Sequence, residues 1–246
     1  MAAMRRKKTI TLPEVHFSED GDIRYLHLDS PWIQGSMLIK KPYDIELEYV
    51  QRMMAWLLFM PAGQVTGAHA MQLGLGAVTL TKFCYKKLKM TCTAIELNPG
   101  VLHACRGWFR LPPDDERLRV VIADAAQEIR SPEWTGVVDA LQVDLYDHEA
   151  AAPVLDSEDF YRDCHALLTP GACMTVNLFG RSSSFDESVQ KICAAFGEQG
   201  SGPSSPPAKA TPWCWPSAHP PAPLERSCLK RPNASKPNAA CRPPNG

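Results

Sequence analysis

Apolar residues fall into short runs along this chain, and each run stops at a glycine or an acid. Met71-Gln72-Leu73 runs into Gly74-Leu75-Gly76, and Thr93-Ala94-Ile95 into Glu96. Arg119 to Ala123 runs into Asp124, and Ala140-Leu141-Gln142-Val143 into Asp144. Short, largely apolar runs suit strands buried on both faces, as in a parallel sheet. Segments with helical spacing lie between them. Val78 to Lys89 ends in Lys86, Lys87 and Lys89, cations suited to a helix C-terminus, and Val101 to Phe109 follows Pro99, a good helix start. A helix from Ser157 to Leu168, a fifth strand from Ala172 to Leu178 and a helix from Phe185 to Phe196 continue the alternation. The rhythm predicts an α/β fold, a mostly parallel sheet flanked by helices, with its pocket along the carboxyl edge of the strands.

The first 45 residues follow a different period. Phe17 to Asp22 reads as a turn, Ile23 to Leu28 alternates with period two, Asp29-Ser30-Pro31 breaks it, and Trp32 to Ile39 resumes an extended run. A small N-terminal antiparallel β lobe over residues 1–45 is the expectation. Glu46 to Met60 carries Leu47, Val50, Met53, Met54, Leu57 and Leu58 at helical spacing, until Pro61-Ala62-Gly63 stops it. The main α/β domain is then expected over 46–199.

Composition changes abruptly after that. Residues 200–246 hold 12 of the 22 prolines and no Val, Ile, Phe, Tyr, Met or Asp, so they cannot bury a core and read as a low-complexity tail. Read two bases later with GC-rich codons, Lys209 to Ser217 permits the string GNTVVLAL, a strand, and Pro223 to Lys236 permits an amphipathic helix. A strand and then a helix are what this sheet type still lacks at that point, so a frame shift near residue 199 is expected.

Net charge is −1, which gives no general attraction to nucleic acid or an anionic membrane. The basic start at Met4-Arg5-Arg6-Lys7-Lys8 has no apolar run behind it, and Met53 to Pro61 is too short to span a bilayer. A cytoplasmic protein without nucleic-acid or membrane partners is expected. The cysteines, Cys84, Cys92 and Cys105 among them, form no C-x-x-C pair, and the histidines form no metal pattern, so no metal is expected.

The strand ends carry the candidate chemistry. Gly74 and Gly76 permit close backbone approach to a ligand, but Thr79 stands where a dinucleotide turn needs its third glycine. A nucleoside without phosphate, such as an adenosyl sulfonium, suits this shorter turn. Glu96, 22 residues after Gly74, is placed to accept both hydroxyls of a ribose. Asp124 suits either an adenine amino group or the cap of a helix beginning at Ala125. Asp144 and Asp147 are two carboxylates three residues apart, a pattern suited to a cationic amine in which one acid accepts a proton.

Taken together, these residues resemble the spermidine synthase (polyamine aminopropyltransferase) family. The resemblance covers residues 15–197. It rests on Ser18-Glu19-Asp20-Gly21 through Leu28-Asp29, Gln34, Gly74-Leu75-Gly76, Glu96, Asp124-Ala125, Asp144-Leu145-Tyr146-Asp147, and Phe160-Tyr161 before Leu167-Leu168-Thr169-Pro170-Gly171. It implies a Rossmann-like class I methyltransferase fold, a homodimer, and aminopropyl transfer from decarboxylated S-adenosylmethionine to a polyamine such as putrescine. Gln34 and Glu96 would meet the adenosyl sugar part, Asp124 and Ala125 the adenine. Asp144 would accept the proton, with Asp147 and Tyr146 binding the amine. The chain departs from the family in three places. Leu75 replaces the aspartate of the usual G-G-G-D-G-G loop, Tyr49-Val50-Gln51 stands for Y-H-E, and His148 replaces the proline of D-S-S-D-P. The alternatives are a methyltransferase using intact S-adenosylmethionine and a non-catalytic nucleoside-binding or assembly protein.

Overall fold

A computed structural model describes residues 12–146, 155–178, 182–197 and 211–216, the last six and 182–184 as backbone only. Three strands, β1 (Val15–Asp20), β2 (Ile23–Leu28) and β3 (Gly35–Leu38), form an antiparallel sheet. The expected extended run from Trp32 narrows to four residues, because only Gly35 to Leu38 find partners on β2. Next comes α1 (Glu48–Arg52), which passes into a 3₁₀ segment, Met53–Leu58. The single helix expected over 46–60 therefore tightens midway, where Met53, Met54 and Trp56 are pressed into the core.

The main sheet alternates as expected. Its members in chain order are α2 (Ala62–Val65), β4 (His69–Leu73), α3 (Thr79–Lys86), β5 (Thr91–Glu96), α4 (Pro99–Trp108), β6 (Leu118–Ile122), α5 (Ala125–Glu128), β7 (Val138–Val143), α6 (Glu158–Leu167), β8 (Leu168–Leu178) and α7 (Ser182–Phe196). Strands run in the order β6-β5-β4-β7-β8, all parallel. The first strand in sequence, β4, is thus central, with β5 on one side and β7 on the other. That junction is the switch point where such sheets open a crevice at the carboxyl ends. Local sequence supports each helix start: the Asn98 side chain accepts from Gly100 N–H ahead of Pro99, and the Ser157 hydroxyl from Phe160 N–H.

Alternate strand residues face opposite layers. Ala70, Cys92, Ala94 and Ala140 pack with Met53, Trp56, Leu80 and Cys105, while Met71, Leu73, Ile95 and Leu141 pack with Phe160, Leu167 and Ile192. β8 begins earlier than its expected start at Ala172 and runs through Thr169-Pro170-Gly171, absorbing them by a register shift against β7 between Val138 and Ala140.

The tail departs from expectation at one place. β9 (Thr211–Pro216) pairs antiparallel with β8, from Thr211 opposite Leu178 to Pro216 opposite Cys173. The buried run Ala172 to Leu178 would otherwise leave an unpaired edge, and an open apolar edge recruits backbone. Pro212 and Pro216 lack N–H groups and are tolerated because β9 is the edge strand. The expected shifted frame permits TVVLA over this same stretch. A chain with that frame restored is expected to melt at a higher temperature than this one, since the edge strand regains donors and β-branched side chains. An equal or lower melting temperature contradicts the frame shift.

Candidate active site

The carboxyl ends of β4, β5, β7 and β8 surround a cavity of about 570 Å³. Gly74 turns the chain off β4 with φ +86°, and a side chain there would place its first carbon 2.1 Å from the Asp144 carbonyl oxygen. The turn is held on both sides: Gly74 N–H donates to Ile95 O at 2.9 Å, and Asp144 N–H to Leu73 O at 2.9 Å. Below it, the buried Gln72 side chain accepts from Thr81 N–H at 3.1 Å. Gly76, at φ +49°, lies under the Gln34 carbonyl, and Gly35 is so close to Ala77 that only a glycine fits. The β lobe thus seats directly on the glycine turn and brings Gln34 into the cavity. Thr79 secures the contact by donating its hydroxyl to Ser36 O at 2.7 Å.

Glu96 closes the turn from the other side. Leu75 N–H donates to Glu96 Oε2 at 2.9 Å and Asn98 N–H to Oε1 at 2.8 Å. Burial pushes the Glu96 carboxyl up, against the pull of the backbone N–H groups of Asn98, Leu75 and Leu97. With three N–H groups on about four acceptor positions, the carboxylate keeps room to accept from a ligand.

Asp144 sits where β7 ends. Asn177 Nδ2 donates to Asp144 Oδ1 at 2.9 Å. Desolvation pushes the Asp144 carboxyl up to about 6, and the Asn177 hydrogen bond opposes that rise. Tyr49 lies beside it, its own hydroxyl held well above the usual range by burial and by the charges of Asp144 and Tyr146. Tyr146 donates its hydroxyl to the Asn177 carbonyl oxygen at 2.9 Å.

Of the residues expected from sequence, Gln34, Gly74, Gly76, Glu96, Asp144 and Tyr146 line this one cavity. Asp124 and Ala125 are not among its lining residues. Asp124 caps α5, accepting from Ala126 N–H at 2.9 Å and from the Gln127 side chain at 3.2 Å, while Ala125 is buried in the core. Asp147 lies outside the described residues. Sequence reasoning missed Asn177, Trp32, Ile33 and Leu97, and read Tyr49 only as the remnant of a motif. Asn177 carried a usable signal: it is the polar residue near the end of the apolar run of β8, as Glu96 and Asp144 are for theirs.

No family model matches the chain. A polyamine aminopropyltransferase of Chromobacterium violaceum is 32% identical to it over 186 residues, 75% of this chain and 69% of that protein. The chain belongs to the polyamine aminopropyltransferase family. Its fold is likewise that of a probable spermidine synthase from Corynebacterium glutamicum, with TM-score 0.63 at 19% identity over 73% of this chain and 65% of the other. Human methyltransferase-like protein 13, solved with SAH, has TM-score 0.56 at 23% identity over 61% of this chain and 74% of that one. The family places this chain among transferases, and both solved structures share its Rossmann-like architecture. Among the described residues, no helix is long and apolar enough to cross a membrane.

The raised Asp144 carboxyl has a consequence for stability. The folded state binds this proton more tightly than the unfolded chain, so the favourable contribution is present at low pH and lost as pH rises through about 6. Asp144→Asn is therefore expected to stabilise the protein in alkaline buffer by about 1–3 kcal/mol. The gain should fade as the pH falls through about 6 toward 3.8. Urea unfolding of both proteins across that range checks it.

Proposed function

We propose that this aminopropyltransferase-family chain transfers an aminopropyl group from decarboxylated S-adenosylmethionine to a polyamine such as putrescine, releasing methylthioadenosine. Asp144 carries the reading: a carboxylate at the cavity wall, one oxygen fixed by Asn177, its carboxyl near enough to neutrality to take and release a proton.

The residues present suit the nucleoside part. Gln34 Nε2 is buried with no hydrogen-bond partner among the described residues, a donor left waiting for an acceptor. Across the cavity, Glu96 offers acceptors for ribose hydroxyls, and Gly74 and Gly76 leave room at the turn. Leu97, Val101 and Leu145 supply apolar walls. Asp124 would reach an adenine amino group with the lone pairs its capping bonds leave, beside Ala125. When bound, decarboxylated S-adenosylmethionine supplies a sulfonium whose aminopropyl carbon passes to the amine as its bond to sulfur breaks. Asp144, ionised above about pH 6, takes the proton of the attacking amine and so keeps the nitrogen lone pair available. Tyr146 and Asp147 belong to the amine side. The apolar walls exclude water and hold nucleophile and electrophile in line. The enzyme acts in the cytoplasm as a homodimer on a small amine, without a metal.

Leu75 favours the second reading, methyl transfer from intact S-adenosylmethionine, because it removes the family's carboxylate beside the aminopropyl arm. Incubation of the protein with putrescine and either co-substrate separates the two. Methylthioadenosine released from the decarboxylated form supports aminopropyl transfer, and S-adenosylhomocysteine formed from the intact form alone contradicts it. Asp144→Asn is expected to lower kcat by about 10²–10⁴ while leaving methylthioadenosine affinity unchanged. In the parent protein kcat/KM should fall as the pH drops below about 6. Unchanged turnover in the variant removes Asp144 from the mechanism.

A further inference from the structure

We infer that Trp32 grips the base of the nucleoside, its indole face stacking on the flat ring of a purine at the Leu97 end of the cavity. The inference rests on the adenosyl reading of this cavity and names the residue that recognises one part of its ligand.

Three of the large apolar side chains left exposed among the described residues meet on this one cavity: Trp32 is 59% exposed, Ile33 48% and Leu97 45%. Exposed apolar groups gathered on a cavity wall mark a place that an apolar part of a ligand covers. The seating of the β lobe shows which end of the cavity they hold. Asn98 Nδ2 donates to Pro13 O at 2.9 Å, and a side-chain carbon on Gly100 would lie 3.1 Å from Val15 Cγ2. The start of β1 therefore sits on the start of α4. Val15 pairs with Leu28 across the antiparallel ladder, so the turn that leaves β2 after Leu28 and carries Trp32 begins beside α4, at the Leu97 and Val101 end. That turn is held behind Trp32. Gln34 N–H donates to Leu26 O at 2.8 Å, and His27 donates from Nδ1 to Trp32 O at 3.2 Å while its Nε2 pairs with the Ser18 hydroxyl at 2.8 Å. A carbonyl oxygen only accepts, which sets the proton of the ring on Nδ1.

A nucleoside whose ribose hydroxyls meet Glu96 has two diverging ends. In the proposed mechanism its sulfur end faces Asp144, so its base leaves the ribose the other way, toward Leu97, Val101 and the turn after β2. Glu96 and Asp144 are the acids of the cavity wall, and neither belongs to that turn. What the turn offers is an indole face, and every purine has a π-face to set against it. Stacking leaves the edge of the base free for a hydrogen bond. An indole face also attracts a cation, but the sulfonium lies at the Asp144 end, so the group that reaches Trp32 is the neutral base.

The test uses the full chain with Trp32→Ala, which removes the ring, and Trp32→Phe, which keeps an aromatic face. Calorimetry compares methylthioadenosine, which is neutral, with decarboxylated S-adenosylmethionine, which adds the positive charge. Trp32→Ala should weaken both by the same factor, about tenfold or more, and Trp32→Phe should recover most of the loss. Unchanged methylthioadenosine affinity in Trp32→Ala overturns the inference. So does a loss confined to the charged ligand, which would assign the ring to the cation. A second measurement leaves the ring in place. The emission of the parent minus that of Trp32→Phe isolates Trp32, and saturating methylthioadenosine should shield that emission from acrylamide. If Trp32→Ala does not fold, this measurement decides, and unaltered quenching overturns the inference. A parent that binds methylthioadenosine with Trp32 unshielded loses the inference and keeps the adenosyl reading. A parent that does not bind methylthioadenosine loses both.

Discussion

Everything at the site depends on one close approach: the carbonyl oxygen of Asp144 occupies the space where Gly74 would carry a side chain. The parallel register of β4 and β7, with Leu73 opposite Val143, brings the two strand ends together, and only a residue without a Cβ lets them meet. With that contact made, the turn after Gly74 is pinned by Glu96 at Leu75 N–H, and the β lobe docks on Gly76 and Ala77. Val78, buried and at φ +58°, adds a strained residue at the end of the turn, held by the packing around it. The Glu96 side and the Asp144 side of the cavity are thus two sides of one backbone junction.

The Asp144 side works against stability. Asp144 is taken from water with one side-chain hydrogen bond among the described residues as compensation, and its carboxyl rises accordingly. Asn177 limits that rise by stabilising the charged form. In the proposed mechanism the raised carboxyl is a stronger base toward an amine proton than one left fully in water would be. Leu75 makes the neighbouring wall apolar, so under the proposed reading the polar groups left on that side are Asp144 at the end of β7 and Asn177 on β8.

The fold was legible because a parallel sheet writes itself as repeated apolar runs, and because strand ends share an edge by geometry. That single rule located Gly74, Glu96 and Asp144 correctly relative to one another. It had no means of separating Asp124 as a cavity residue from Asp124 as a helix cap, since both need an acid at the same position; in the fold its two oxygens serve α5. Trp32, Ile33 and Tyr49 reach the cavity only through the docking of the β lobe and of α1, a tertiary event with no local signature. Asn177 was hidden for another reason: β8 read as an ordinary buried strand, and its polar residue near the end was not weighed as the others were. β9 was invisible because its composition argues against a strand, and an open neighbouring edge outweighs that composition.

The central claim is that one cavity holds a nucleoside against Glu96 and Gln34 and an amine against Asp144 and Asn177. A crystal structure with methylthioadenosine tests it most directly. The account predicts the ribose hydroxyls on Glu96, an acceptor on Gln34 Nε2, and the sulfur end open toward Asp144 and Asn177. Methylthioadenosine bound elsewhere, or with its sulfur turned away from Asp144, would contradict it.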